Sequence, residues 1–226
     1  MLSNRRSFIA GLTGATALAG FSATPALANT ATRRFDALLG RNKVGETSVT
    51  LSRSGGRVIV DIDARLRVSI LGIINFNYHL SNRETWRNGV LQELRSTTDN
   101  DGKPEFVIGH RVGNGFQIDA SGFQGVVPGN PATTSYFTSE FMQRPTWIST
   151  QSGKPLNLAI ANRGNEGFAT SDGNLACTKY STSGGLDINL FYDSNDEWVG
   201  SNFRVAGRNA NIRMSSRGQS FNALWR

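Results

Sequence analysis

The run from Arg57 to Trp86, RVIVDIDARLRVSILGIINFNYHLSNRETW, restricts the fold more than any other part of the chain. Every second residue from Val58, through Val60, Ile62, Ala64 and Leu66 to Phe76, Tyr78 and Leu80, is apolar or glycine. The interleaved positions are mostly polar, among them Asp61, Asp63, Arg65, Arg67, Asn77 and His79. Alternation with period two marks strands that bury one face. As a single strand, Val58 to Leu80 would extend about 75 Å, too long for a domain of this size. The pattern therefore predicts two long antiparallel strands sharing one apolar wall. The break belongs at Leu71-Gly72, where glycine tolerates a bend.

The rest of the chain carries the same rhythm. Ser54-Gly55-Gly56, Asn88-Gly89, Asp99-Asn100-Asp101-Gly102 and Asn114-Gly115 are hairpin turn signals between strand-length segments. Their spacing is that of an antiparallel meander rather than of βαβ units. The rhythm breaks between Val127 and Trp147, where Thr134 or Ser135 is placed to cap a short helix carrying Phe137 and Phe141 on one face. Residues 215–226, rich in Ser, Arg and Asn, read as a loosely attached tail. The expected fold is all-β over residues 29–214: a single curved sheet, barrel or half-barrel with one short helix.

Ser3-Asn4-Arg5-Arg6-Ser7-Phe8-Ile9 resembles the twin-arginine export motif, departing from it at Asn4 and Ala10. A short, glycine-diluted apolar region and the small-residue site Pro25-Ala26-Leu27-Ala28 follow. Residues 1–28 are thus expected to be a signal peptide, with delivery of a folded protein to the periplasm or the exterior. No membrane-spanning segment is expected after cleavage. The lone Cys177 excludes an intramolecular disulfide. The formal net charge of +7 includes Arg5 and Arg6, and the other cations are scattered singly. Nothing here forms the basic patch of a nucleic-acid-binding protein.

Several segments together carry a wider resemblance: Phe76-Asn77-Tyr78-His79, Glu84-Thr85-Trp86, Asn88-Gly89, Thr98-Asp99-Asn100-Asp101-Gly102, and Phe191-Tyr192 with Trp198-Val199-Gly200. They resemble an exported bacterial β-rich family of unknown function, over roughly residues 35–214. That family is distantly similar to envelope half-barrels of the lipoprotein-carrier type, which hold acyl chains between a curved sheet and a helix. The resemblance implies a fold and a hydrophobic ligand, and carries no activity.

Chemical motifs are sparse. Two histidines, His79 and His110, and one cysteine supply no local metal-ligand spacing, and no cofactor is expected. The Asp99 to Gly102 loop lacks the later acidic ligand of a calcium loop. Asp61 and Asp63 share a polar face with Arg65 and Arg67, a pattern of solvated ion pairs. Glu84 follows the apolar parity beside Trp86, and is expected to pair with Arg83, Arg87 or Arg95 or to contact a ligand hydroxyl or amine. Three functional readings follow. The leading one is a binder or carrier of a hydrophobic or amphipathic ligand, lined by Phe76, Tyr78, Glu84, Trp86, Phe137 and Phe141. The alternatives are an envelope structural or protein-interaction module with a filled core, and a hydrolase using Glu84, Asp61 or His79.

Overall fold

A computed structural model describes residues 29–70, 74–205 and 207–226. Eight strands follow one another as a meander: β1 (Thr30–Leu39), β2 (Asn42–Ser54), β3 (Arg57–Ile70), β4 (Ile74–Arg87), β5 (Val90–Asn100), β6 (Lys103–Val112), β7 (Gly115–Ala120) and β8 (Phe123–Pro128). An insertion then supplies β9 (Ala132–Thr133), a one-turn 3-10 helix (Ser139–Gln143), β10 (Thr146–Ile148) and β11 (Pro155–Asn157). The meander resumes with β12 (Ala159–Thr170), β13 (Gly173–Ser183), β14 (Ile188–Tyr192), β15 (Trp198–Val205) and β16 (Arg208–Ser216). The chain ends in α1 (Asn222–Trp225).

Thirteen strands form one antiparallel sheet in the order β12-β13-β14-β15-β16-β1-β2-β3-β4-β5-β6-β7-β8. The first and last strands among the described residues pair in its middle, with Phe35 opposite Met214. The free edges are β8 and β12, and the insertion joins them. Its three strands make a second small sheet in which β9 and β10 run parallel, inside the stretch where the sequence rhythm breaks.

The long alternating run folds as its parity requires. β3 and β4 pair from Val58↔Trp86 to Ile70↔Ile74, around the expected break, whose residues 71–73 lie outside the described ones. Val58, Val60, Ile62, Leu80 and Trp86 are buried, whereas Arg65, Arg67, Asn77 and His79 are exposed. Toward the 71–73 end Leu66, Val68, Phe76 and Tyr78 are only half-buried, so the hairpin outruns the core. Turn chemistry matches too: Asn88 and Gly89 have φ of 49° and 69°, and Asp101 and Gly102 of 56° and 80°. These are the left-handed pairs that a two-residue hairpin requires.

Two elements differ from expectation. The short helix starts at Ser139 rather than near Ser135, capped by Thr138, whose side chain accepts from the Glu140 N–H. Tyr136, at φ 60°, could not belong to a helix. Residues 215–226 are not a loose tail. Phe221, Leu224 and Trp225 are buried, and Glu197 accepts hydrogen bonds there from the Asn222 N–H at 2.8 Å and from Ser220 Oγ. Glu197 is itself buried against Arg33 of β1 in an ion pair, and the Arg33 guanidinium lies 4.8 Å from the Phe221 ring centroid. Residues 1–28, read as a signal peptide, lie outside the described ones.

Candidate functional site

The buried face of the sheet meets two different fillings. At the end where β3 and β4 carry Val58 and Trp86, aromatic rings pack solidly. Trp86 lies 5.1 Å from Phe141 and 5.5 Å from Trp225, and Phe137 lies 5.0 Å from Phe141. Arg144 covers this cluster, its guanidinium 5.5 Å from Trp86 and 5.1 Å from Phe141.

Further along the same strands the interior is hollow. A cavity of about 500 Å³ lies between the sheet and the insertion, a volume within the range of small-molecule sites. Its apolar wall includes Val49 of β2, Ile62 and Ala64 of β3, Leu80 of β4, Ile188 of β14 and Ile212 of β16. The strands from β14 through β16 and β1 to β4 would span about 29 Å if flat, at some 4.8 Å per step. One cavity touching both ends of that run means that the sheet wraps around it. The insertion contributes the facing wall: Ser135, Tyr136, Thr150, Gln151 and Leu156.

Tyr136 sits between the two fillings. Its ring lies 5.9 Å from Trp147 and 5.7 Å from Trp198, and its carbonyl accepts from the Tyr192 hydroxyl at 3.0 Å. Positive φ on a bulky residue is strained and tends to mark a constrained, functional position. Here it turns the chain sharply enough for Ser135 and Tyr136 to face the cavity while Phe137 enters the aromatic cluster.

The polar groups of the cavity fall into two sets. Toward solvent are exposed Lys154 and Asp187; the half-buried Tyr78 donates from its hydroxyl to Gln151 Oε1 at 3.3 Å. Burial pushes the Tyr78 pKa up to about 12, so it remains a donor. Deeper in, Trp198 Nε1 and Ser201 Oγ are buried and have no hydrogen-bond partner among the described residues. A bulge puts both residues in the cavity wall. Phe191 pairs with Gly200 and Tyr192 with Trp198, so Val199 is the extra residue in β15. Without it, residues three apart would face opposite sides of the strand.

The residues singled out in the sequence are distributed unevenly. Tyr78 lines the cavity. Phe76 is half-buried near the hairpin end, its ring 6.4 Å from that of Tyr78. Trp86, Phe137 and Phe141 belong to the packed aromatic cluster. Glu84 is fully buried, and its expected arginine partner is not there. It accepts from Asn82 Nδ2 at 3.0 Å, Trp86 Nε1 at 2.8 Å and Ser135 Oγ at 3.3 Å. Burial raises its pKa above the ordinary carboxylate value. Through Ser135 it buttresses the cavity wall from behind.

Asp61 and His79 lie on the opposite face of the sheet from Glu84. Asp61 is held by Arg83 at 2.6 and 3.0 Å, and Asp63 by His79 at 3.0 Å and Arg65 at 2.9 Å. The three residues of the hydrolase reading therefore do not converge on one point. Among the described residues, no three His, Cys, Asp or Glu side chains gather as metal ligands would. Of the further residues that the structure brings to the cavity, Trp198 entered the sequence reading only within the Trp198-Val199-Gly200 segment of the family resemblance, and Ser201 and Tyr136 were not marked there as site residues.

An antiparallel sheet wrapped around a partly hollow interior, with its two free edges bridged by an insertion, defines a β-barrel-like domain. The chain belongs to the DUF6134 family, a domain of unknown function whose model matches residues 35–215. It is also similar in fold to the crystal structure of a β-barrel-like protein of the domain of unknown function DUF1849 from Brucella abortus. The TM-score is 0.59 at 6% identity, covering 84% of this chain and 98% of that one. None of the curated proteins matches the chain.

Proposed function

We propose that this protein is an exported binder that holds a hydrophobic or amphipathic ligand in the cavity between the sheet and its insertion. The observation that carries the reading is the mixed lining. One side is aliphatic wall, the other a small set of convergent hydroxyl, amide and indole groups, which is the make-up of a ligand site rather than of a filled core. The aromatic cluster beside it stabilises the fold without needing that space, so the hollow is not the only core the domain has. The export reading rests on Arg5, Arg6 and the Pro25 to Ala28 site, and makes the periplasm or the exterior the place of binding. Exposed Phe106, Ile108 and Val112 on β6 and Val126 on β8 favour a second role, contact with a protein partner through the outer face.

Native mass spectrometry of gently purified protein tests the first reading. Wild type is expected to carry a small amphiphile, and Ala64→Trp, which fills the cavity from β3, is expected to lose it while keeping a β-type circular dichroism spectrum. An Ala64→Trp protein that retains the same ligand would place binding elsewhere. Wild type that purifies empty and takes up no added lipid would favour the protein-contact role.

A further inference from the structure

The cavity is amphipathic in a particular direction, and this inference rests on the ligand-binding reading above. Among the described residues that line it, the charged ones are Lys154 and Asp187, both exposed at the mouth. The deep wall has no charge to offer. It has two unpartnered groups, Trp198 Nε1 and Ser201 Oγ, on residues 3% and 0% exposed. Burying such groups without partners is unfavourable, and native proteins rarely leave them so. An indole N–H can only donate, and a hydroxyl can donate or accept. The bulge at Val199 puts both residues in the wall of the same cavity, and bulges recur where a strand must re-aim side chains at a site.

We propose that the ligand binds with an uncharged, oxygen-bearing polar end directed inward. That end accepts a hydrogen bond from Trp198 Nε1 and makes a second one with Ser201 Oγ, while its hydrocarbon part lies along the aliphatic wall. The class this defines is a neutral lipid-like ester or alcohol. An ionised head is disfavoured at that depth, because a buried charge without a counter-charge is costly. Glu84, which accepts a hydrogen bond from Ser135 on the same cavity, would add repulsion against an anion whenever it ionises. A pure hydrocarbon would fill the volume and leave both polar groups unpaired.

Equilibrium dialysis of the full protein against three probes of equal chain length separates these cases: dodecanoylglycerol, dodecanoate and dodecane, each below its aggregation concentration. Two hydrogen bonds of ordinary net strength predict that the glycerol ester binds about tenfold to a hundredfold more tightly than dodecane. Trp198→Phe, which keeps the ring stacked 4.2 Å from Phe35, and Ser201→Ala should each weaken the ester by about threefold to tenfold. Neither should change dodecane. Dodecanoate binding as tightly as the ester would overturn the proposal, and so would ester affinity indifferent to both substitutions; in either case the cavity would remain a binding site. Failure of all three probes to bind would overturn the cavity reading itself, and this proposal with it.

Discussion

Glu84 is the residue on which local chemistry turns. Three donors converge on it, from Asn82, Trp86 and Ser135, and none is a cation. Desolvation therefore dominates and holds its proton to higher pH than in the unfolded chain, where a glutamate titrates at about 4.3. For a group whose folded pKa is raised, the native state binds more protons between the two values. Its contribution to stability is full below the unfolded value and is lost as pH rises through the folded one. The neighbouring Asn82 Oδ1 lacks a partner among the described residues, so an amide flip would give a protonated Glu84 an acceptor. Glu84→Gln imitates that protonated state and can use the same flip. Urea unfolding at pH 5 and pH 8 should show wild type losing stability at the higher pH and Glu84→Gln holding steady, with the variant the more stable at pH 8. Parallel pH profiles for the two proteins would mean that Glu84 is ionised throughout and compensated by its donors.

The C-terminal segment shows what an element contributes that its composition conceals. Gly218, at φ 59°, passes so close to β1 that an added Cβ would meet the Thr32 carbonyl at 2.1 Å. Glu197 then fixes Ser220 and Asn222, and Trp225 closes the aromatic cluster, 4.8 Å from Phe137 and donating to Glu140 Oε2 at 2.9 Å. Trp225→Ala removes a buried indole and should cost about 3–5 kcal/mol. For a domain of this size that lowers the thermal midpoint by roughly 10 °C. A shift below about 2 °C in a melting curve would mean that the segment adds little to the folded state. In the sequence this segment was unreadable, because a four-residue helix is too short to display periodicity and the surrounding Ser and Arg hide its three apolar residues. β3 and β4 were readable for the opposite reason: a one-residue slip would turn Ile62 and Trp86 outward, so burial of one face determines the register. Beyond Ala161, β12 shows no strand pattern in the sequence, because Asn162-Arg163-Gly164-Asn165 belongs to an exposed edge strand with a bulge, which imposes no alternation. The deep polar groups of the cavity were hidden by another bulge. Parity assigns Trp198 and Ser201 to opposite faces, and only the extra residue in β15 reverses that.

At the scale of the molecule, the sheet is a meander whose first and last described strands meet in the middle. Pairing Phe35 with Met214 closes a loop spanning most of the domain, a contact whose entropic cost falls on the search for the native state. Arg53 touches both ends: its N–H donates to the Asn29 carbonyl at 2.9 Å, and its guanidinium reaches the Leu224 carbonyl at 3.2 Å and that of Arg226. The two ends of the described domain are thus about one arginine side chain apart, within reach of a short Gly/Ser linker. A circular permutant that joins Arg226 to Asn29 and opens at the Gly113-Asn114 turn keeps every strand of the sheet. The opening costs little, because Gly113, at φ 52°, has nothing within 4 Å of an added Cβ. The permutation converts the central β1–β16 pairing from the longest-range contact into a local one. The β6–β7 pairing becomes long-range in exchange, but it lies near the free edge at β8, away from the strands that surround the cavity. Stopped-flow refolding should therefore be faster in the permutant, with the denaturation midpoint close to that of wild type. Slower refolding at equal stability would show that the sheet nucleates in the β6–β8 region. Rate-limiting closure of the chain ends would then be ruled out.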